Sequence, residues 1–90
     1  MNIIINLPPM FRRLAGADEE VTVTGTTIGD CLRELVDRYP PLVQYVFTGS
    51  GDVNPGLTVF HNGENAFPGE LAREVREGDT LHLAQMVLGG

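Results

Sequence analysis

Thr26-Thr27-Ile28-Gly29-Asp30-Cys31-Leu32-Arg33-Glu34-Leu35-Val36-Asp37-Arg38-Tyr39-Pro40-Pro41 carries the clearest helical period in the chain. Ile28, Leu32, Leu35, Val36 and Tyr39 recur at three- and four-residue spacing and so share one apolar face. Thr26-Thr27 offers a hydroxyl N-cap, and Asp30 places an anion in the first turn where a capping box usually has glutamate. Arg33 with Asp37 and Glu34 with Arg38 stand four apart, which predicts two ion pairs on the solvent side. Pro40-Pro41 ends the helix, since a proline neither donates to the preceding turn nor fits beneath it. Everything on either side is shorter and reads mostly as strand and loop.

Upstream, Ile3-Ile4-Ile5 lies in a β-branched first strand within residues 1–7 that Pro8-Pro9 cuts off. Met10-Phe11-Arg12-Arg13-Leu14 then reads as a connector with one hydrophobic plug, running through Ala15-Gly16-Ala17 to an exposed acidic end, Asp18-Glu19-Glu20. Val21-Thr22-Val23-Thr24 alternates with period two and is the second strand, an antiparallel partner for the first. Downstream, residues 42–47 suit either a short helical turn or an extended cover over the core. Residues 48–56 are rich in Gly, Pro, Asn and Ser and form a surface loop. Leu57-Thr58-Val59-Phe60-His61 is a strand, and Asn62-Gly63 is a strong signal for a tight turn with positive φ. In residues 64–76, Leu71 and Val75 are spaced for a one-turn helix. Glu77-Gly78-Asp79 turns the chain into the final strand, Thr80-Leu81-His82-Leu83-Ala84.

This order predicts an α+β domain over residues 1–84, with a mixed sheet of four to five strands and one main helix packed across it. It matches a β-grasp, with the first and last strands central because they are the most apolar. Residues 85–90 then form a flexible C-terminal tail.

Ninety residues, with twelve acids against six arginines, give a net charge of −6. A chain this small has little room for an enclosed active site, so function belongs on a surface or at an end. The acidic balance argues against nucleic acid and anionic membrane and favours a basic protein partner. No apolar run is long enough to span a membrane, no leader is evident, and the expected location is the cytoplasm. Lysine is absent. The single cysteine, Cys31, lies near the apolar helix face and reads as a small hydrophobe. His61 and His82 have no third ligand at matching spacing, so no metal is expected. The glycine-rich loop at 49–56 lacks the lysine of a phosphate-binding loop.

Gln85-Met86-Val87-Leu88-Gly89-Gly90 closes the sequence on two residues without side chains. Such a tail is thin enough to enter a narrow channel and bring the Gly90 carboxylate to a reactive phosphate. Six extended residues span at most about 20 Å, enough for the end to react while the body stays docked outside. Gly90 is therefore the candidate reactive residue and Gly89 the one required for passage. Leu88, Val87, Met86 and Phe60 are the candidate partner-binding side chains, although core packing is the favoured reading of Phe60.

Together, the helix, Val59-Phe60-His61-Asn62-Gly63-Glu64, Leu71 with Val75, Glu77-Gly78-Asp79-Thr80-Leu81 and Gly89-Gly90 resemble the ubiquitin-like sulfur carriers of the ThiS/MoaD family. The tail departs from the family pattern in having bulky Leu88 before the diglycine, where a small residue is common. The resemblance implies a protein co-substrate, not an enzyme. An E1-like adenylyltransferase would use ATP to convert the Gly90 carboxylate to an acyl-adenylate, and a sulfur donor protein would displace AMP to leave a thiocarboxylate. A sulfur-accepting synthase in molybdopterin, cysteine or thiamine biosynthesis would take the sulfur; the small subunit of a molybdopterin synthase is one such role. The chain itself would bind no cofactor. A ubiquitin-like modifier joined through Gly90 by an isopeptide bond, and a plain β-grasp interaction module, are the alternatives.

Overall fold

The computed structural model describes residues 2–86, so the expectations for Val87, Leu88, Gly89 and Gly90 lie outside the described residues. β1 (Ile3–Asn6) buries Ile3 and Ile5 and leaves Ile4 and Asn6 half-buried on the other face. The two prolines that close it do more than break a strand. Pro8 is the N-cap and Pro9 the first residue of α1 (Pro9–Ala15), which ends on Gly16 at φ 64°. Proline suits that first position because its missing N–H would have had no partner there. The expected connector is thus a helix. Its hydrophobic plug is Phe11, fully buried with its ring centroid 6.1 Å from that of Tyr45.

β2 (Glu20–Val23) buries Val21 and Val23. α2 (Ile28–Arg38) starts as its sequence predicts, with the Thr27 hydroxyl accepting the Asp30 N–H at 3.1 Å. It buries Ile28, Gly29, Cys31, Leu32, Leu35 and Val36. Glu34 pairs with Arg38 at 2.9 Å, but Arg33 reaches back to Asp30 at 2.8 Å and makes no ion pair with Asp37. Helical side chains lean toward the N-terminus, which favours the partner behind Arg33 over the one ahead. Pro40-Pro41 ends α2 and opens a 3-10 turn, Pro40–Leu42, which runs into the single turn of α3 (Val43–Val46). Leu42 and Val46 are fully buried, so this segment covers the core as a helical turn.

β3 (Leu57–His61) and the two-residue β4 (Glu64–Asn65) form a hairpin across Asn62 and Gly63, at φ 51° and 85°. Both central residues being left-handed is what a type I′ turn demands, and Asn-Gly supplies it most cheaply. Leu71 falls in a 3-10 turn, Glu70–Ala72, but Val75 lies beyond it. Val75 is buried by a different device: its N–H bonds the Thr26 carbonyl at 3.0 Å, and Glu74 bridges Thr27. Docking onto the start of α2, which periodicity does not reveal, replaces the expected helical turn.

β5 is Thr80–Gln85. The sheet runs β2-β1-β5-β3-β4, with β1 and β5 parallel and the other pairs antiparallel. The first and last strands are therefore neighbours inside the sheet, as their apolar character predicts. Ile3, Ile5, Val21, Val23, Val59, Leu81 and Leu83 face α2, and the core closes between them. This is a five-stranded β-grasp whose last strand carries residues 85 and 86 out of the middle of the sheet.

Candidate functional site

β5 delivers the tail from a fixed point. Gln85 still pairs with Leu57, and the Met86 N–H donates to the Gly56 carbonyl at 2.7 Å. Beyond that bond the Met86 side chain is 57% exposed. A large apolar side chain standing in water beside the point where the tail departs is what a docking surface requires.

The sheet face away from α2 adds to that surface. Phe60 lies directly opposite His82, Thr58 opposite Ala84, and Ile4 beside Thr80. Residues opposite one another share a face, and the buried Val59–Leu83 pair occupies the other one. Phe60 is therefore half-buried on the outer face and is not a core residue, which corrects its favoured sequence reading. Strand alternation marks Val59 and Phe60 as facing opposite ways, but it does not say which face is covered.

The other end of β5 is fixed by a polar network that motif spacing did not show. Asp79 Oδ2 faces His61 Nε2 at 2.7 Å and accepts the Arg76 N–H at 2.8 Å, while Oδ1 accepts from Asn62 Nδ2 at 3.0 Å. Arg73 Nε donates to His61 Nδ1 at 3.0 Å, and its Nη2 pairs with Glu64 at 2.7 Å. A guanidinium can only donate, so Nδ1 must accept and the ring proton sits on Nε2, aimed at Asp79. Asn62 Oδ1 in turn accepts the Thr80 N–H at 2.9 Å. The network locks the hairpin, the 64–76 crossover and the start of β5 together. It lies about 20 Å from Met86 along six strand residues, so it positions the strand and takes no part at the tail. The sequence signal for it was the pair Asn62-Gly63 and Gly78-Asp79, read as turns and as family motifs and not as partners in a network.

Hydrogen bonds from Asn62, then His61, then the Arg76 backbone hold the Asp79 carboxyl down, from 3.8 to about 2. A depressed carboxyl pKa adds stability above its unfolded value, and that contribution disappears as pH falls through the folded one. Asp79→Asn is accordingly expected to cost about 1–2 kcal/mol at pH 7 and progressively less from pH 4 down to pH 2. Urea unfolding of both proteins across that range checks it; a cost that stays constant with pH would contradict it.

His61 and His82 lie on opposite faces of the sheet, opposite Leu81 and Phe60 respectively, and do not converge. Among the described residues no group of three potential ligands could hold a metal ion, and no helix is long and apolar enough to cross a membrane. Cys31 is fully buried, and burial pushes its thiol up to about 11.

An open groove of about 620 Å3 runs between residues 52–55, the start of β3 and residues 65–72, with Phe67 standing at its edge 71% exposed. Pro55 forms part of its wall and precedes Gly56, the residue that holds Met86. Phe67 was missed because a single aromatic beside a proline carries no periodic signal.

This arrangement has close counterparts. Residues 5–90 match the ThiS family. The sulfur carrier protein CysO of Mycobacterium tuberculosis is 26% identical over 93 residues, covering 100% of both chains. The crystal structure of SAMP1 from Haloferax volcanii superposes with a TM-score of 0.86 at 31% identity, covering 100% of each chain. A chain of the Amycolatopsis orientalis BexX/CysO complex matches with a TM-score of 0.83 at 25% identity, covering 98% of this chain and 99% of that one. On its family match over nearly its whole length and on its β-grasp structure, the chain belongs to the ThiS family, alongside the sulfur carrier CysO and the small archaeal modifier SAMP1.

Proposed function

We propose that the chain is a sulfur carrier whose Gly90 carboxylate is adenylated by an E1-like enzyme with ATP and then converted to a thiocarboxylate. The observation that carries this reading is the geometry of delivery. A rigid sheet holds Met86 through Gly56, three residues before a terminal diglycine, and leaves its apolar side chain exposed there. Whole-length likeness to CysO supports it. The carrier supplies reach and a docking face, and the partner supplies the catalytic groups. Adenylation makes the Gly90 carbonyl carbon electrophilic; the outer sulfur of a donor-protein persulfide attacks it, the C–O bond to phosphate breaks and AMP leaves. A second thiolate then attacks the donor-side sulfur of the resulting acyl disulfide, so that the S–S bond breaks, a new disulfide forms on the donor and the thiocarboxylate is released. Glycines at the last two positions let partner N–H donors approach the developing oxyanion closely. The thiocarboxylate then gives its sulfur to an accepting synthase, and the chain binds no cofactor itself.

Docking is assigned to Met86, Phe60 and the outer sheet face, with Val87 and Leu88 entering the partner alongside the glycines and Phe67 contacting its margin. Met86→Asp is expected to weaken binding to the activating enzyme about ten-fold or more, since burying a methionine contributes about 1.5–3 kcal/mol. Calorimetry against that enzyme measures this, and an unchanged affinity removes Met86 from the site. The reading as a whole is tested by ATP–pyrophosphate exchange with the E1-like adenylyltransferase: exchange should require this chain and fail when its C-terminus is amidated. Likeness to SAMP1 favours a second outcome of the same activation, an isopeptide bond to a target lysine. An adduct that survives denaturant and reductant would select it.

A further inference from the structure

The cationic side chains are Arg12, Arg13, Arg33, Arg38, Arg73 and Arg76, and lysine is absent from all 90 residues. A guanidinium stays protonated through the whole working range and is not an acyl acceptor, whereas about one lysine amine in a thousand is neutral near pH 7.4 and reacts with activated acyl groups. The second class of nucleophile is removed by the fold. The one thiol, on Cys31, has no solvent exposure and packs inside the apolar face of α2. Its burial also keeps it protonated, with a pKa raised to about 11, and the thiolate is the reactive form. Of the histidines, His61 has both ring nitrogens engaged, by Asp79 and Arg73. His82 is exposed, but acyl transfer to an imidazole gives a product that water cleaves back to the carboxylate, leaving no lasting adduct.

We propose that the chain is built as an acyl donor whose side chains offer neither an amine nor an accessible thiol, so that its activated terminus forms lasting amide links only with molecules other than its own copies. The inference rests on the activation of Gly90 proposed above. In a self-transfer, an amine nitrogen on a second copy would attack the Gly90 carbonyl carbon. A C–N bond would form, AMP or a thiol would leave with the electron pair of the broken bond, and the amine proton would go to solvent. No side chain on this surface supplies that nitrogen. A carrier so built does not lose its activated form to its neighbours at high concentration, and as a modifier it adds singly and builds no side-chain-linked polymers. The terminal amine is the one amine left.

A Gly90 thioester made by thiolysis of an intein fusion tests this without any activating enzyme. It is incubated with an unactivated acceptor copy, both copies having been acetylated at the α-amine during synthesis by an N-terminal acetyltransferase, which leaves side-chain amines free. Arg13→Lys and Arg76→Lys, both at exposed positions, serve as alternative acceptors. Intact mass and peptide mapping should find an amide-linked dimer at position 13 or 76 at least ten-fold above the wild-type acceptor. A wild-type dimer of comparable yield, or lysine variants as inert as wild type, would overturn the proposal. Absence of enzymatic adenylation would instead remove the proposed role of Gly90 and leave this result untouched.

Discussion

Deleting Gly90 is expected to lower adenylation of the chain at least about 100-fold while leaving its stability unchanged. The deletion draws the terminal carboxylate back by about 3.5 Å, whereas the body remains held by the same docking face. Misplacing a reacting group by about 1 Å already costs on the order of 100-fold, so one residue exceeds what the site can absorb. Gly89 would then occupy the terminal position, and its chemical identity to Gly90 makes the experiment clean, because only the reach has changed. Steady-state pyrophosphate release with the E1-like enzyme, alongside urea unfolding, measures both halves of the expectation. A deletion variant retaining more than a tenth of the wild-type rate would show that position along the tail is not what matters.

The largest effect on stability is expected at Phe11. It is fully buried between α1 and the segment that carries Leu42 and Tyr45. Phe→Ala in a core costs about 3–5 kcal/mol, the sum of lost transfer energy and an unfilled cavity. A domain of this size has only about 5–15 kcal/mol to lose. Phe11→Ala should therefore lower the urea midpoint steeply and leave a substantial unfolded fraction near 37 °C. A loss below about 1 kcal/mol would mean that α1 is a loose cover and not part of the core.

Phe11 also shows where sequence reasoning stopped. Its apolar character was plain, but a seven-residue helix beginning on proline offers too few turns for a period to emerge, and Pro8-Pro9 was read only as the end of a strand. α2 was legible because eleven residues repeat the apolar face several times and Thr27 caps it. Asn62-Gly63 was legible because the positive φ values it requires restrict the residues that fit. The central place of β1 and β5 followed from their apolar content. The reading failed where tertiary contacts decide. Val75 docks on Thr26, Arg33 turns back to Asp30, and Phe60 lies on the face that α2 leaves open. The Asp79 network belongs to the same class, since it joins residues 17 and 18 apart through geometry that only the folded sheet creates.

The site divides in the same way. The diglycine is a property of the sequence, and the resemblance it carries together with the helix and the turn motifs led to the family. What the fold adds is their setting: β5 lies between β1 and β3, and the Met86–Gly56 bond gives the tail a fixed origin beside Met86 and the outer sheet face. Phe67 and its groove entered only through the structure.

The most direct test of the central claim is the intact mass of the chain isolated from its native cell extract without strong base or alkylation. The sulfur-carrier account predicts a fraction in which one oxygen is replaced by sulfur, with the change confined to the peptide ending in Gly90. A chain found only in its unmodified form, and still unmodified after incubation with ATP, a sulfur donor protein and the E1-like enzyme, would contradict it.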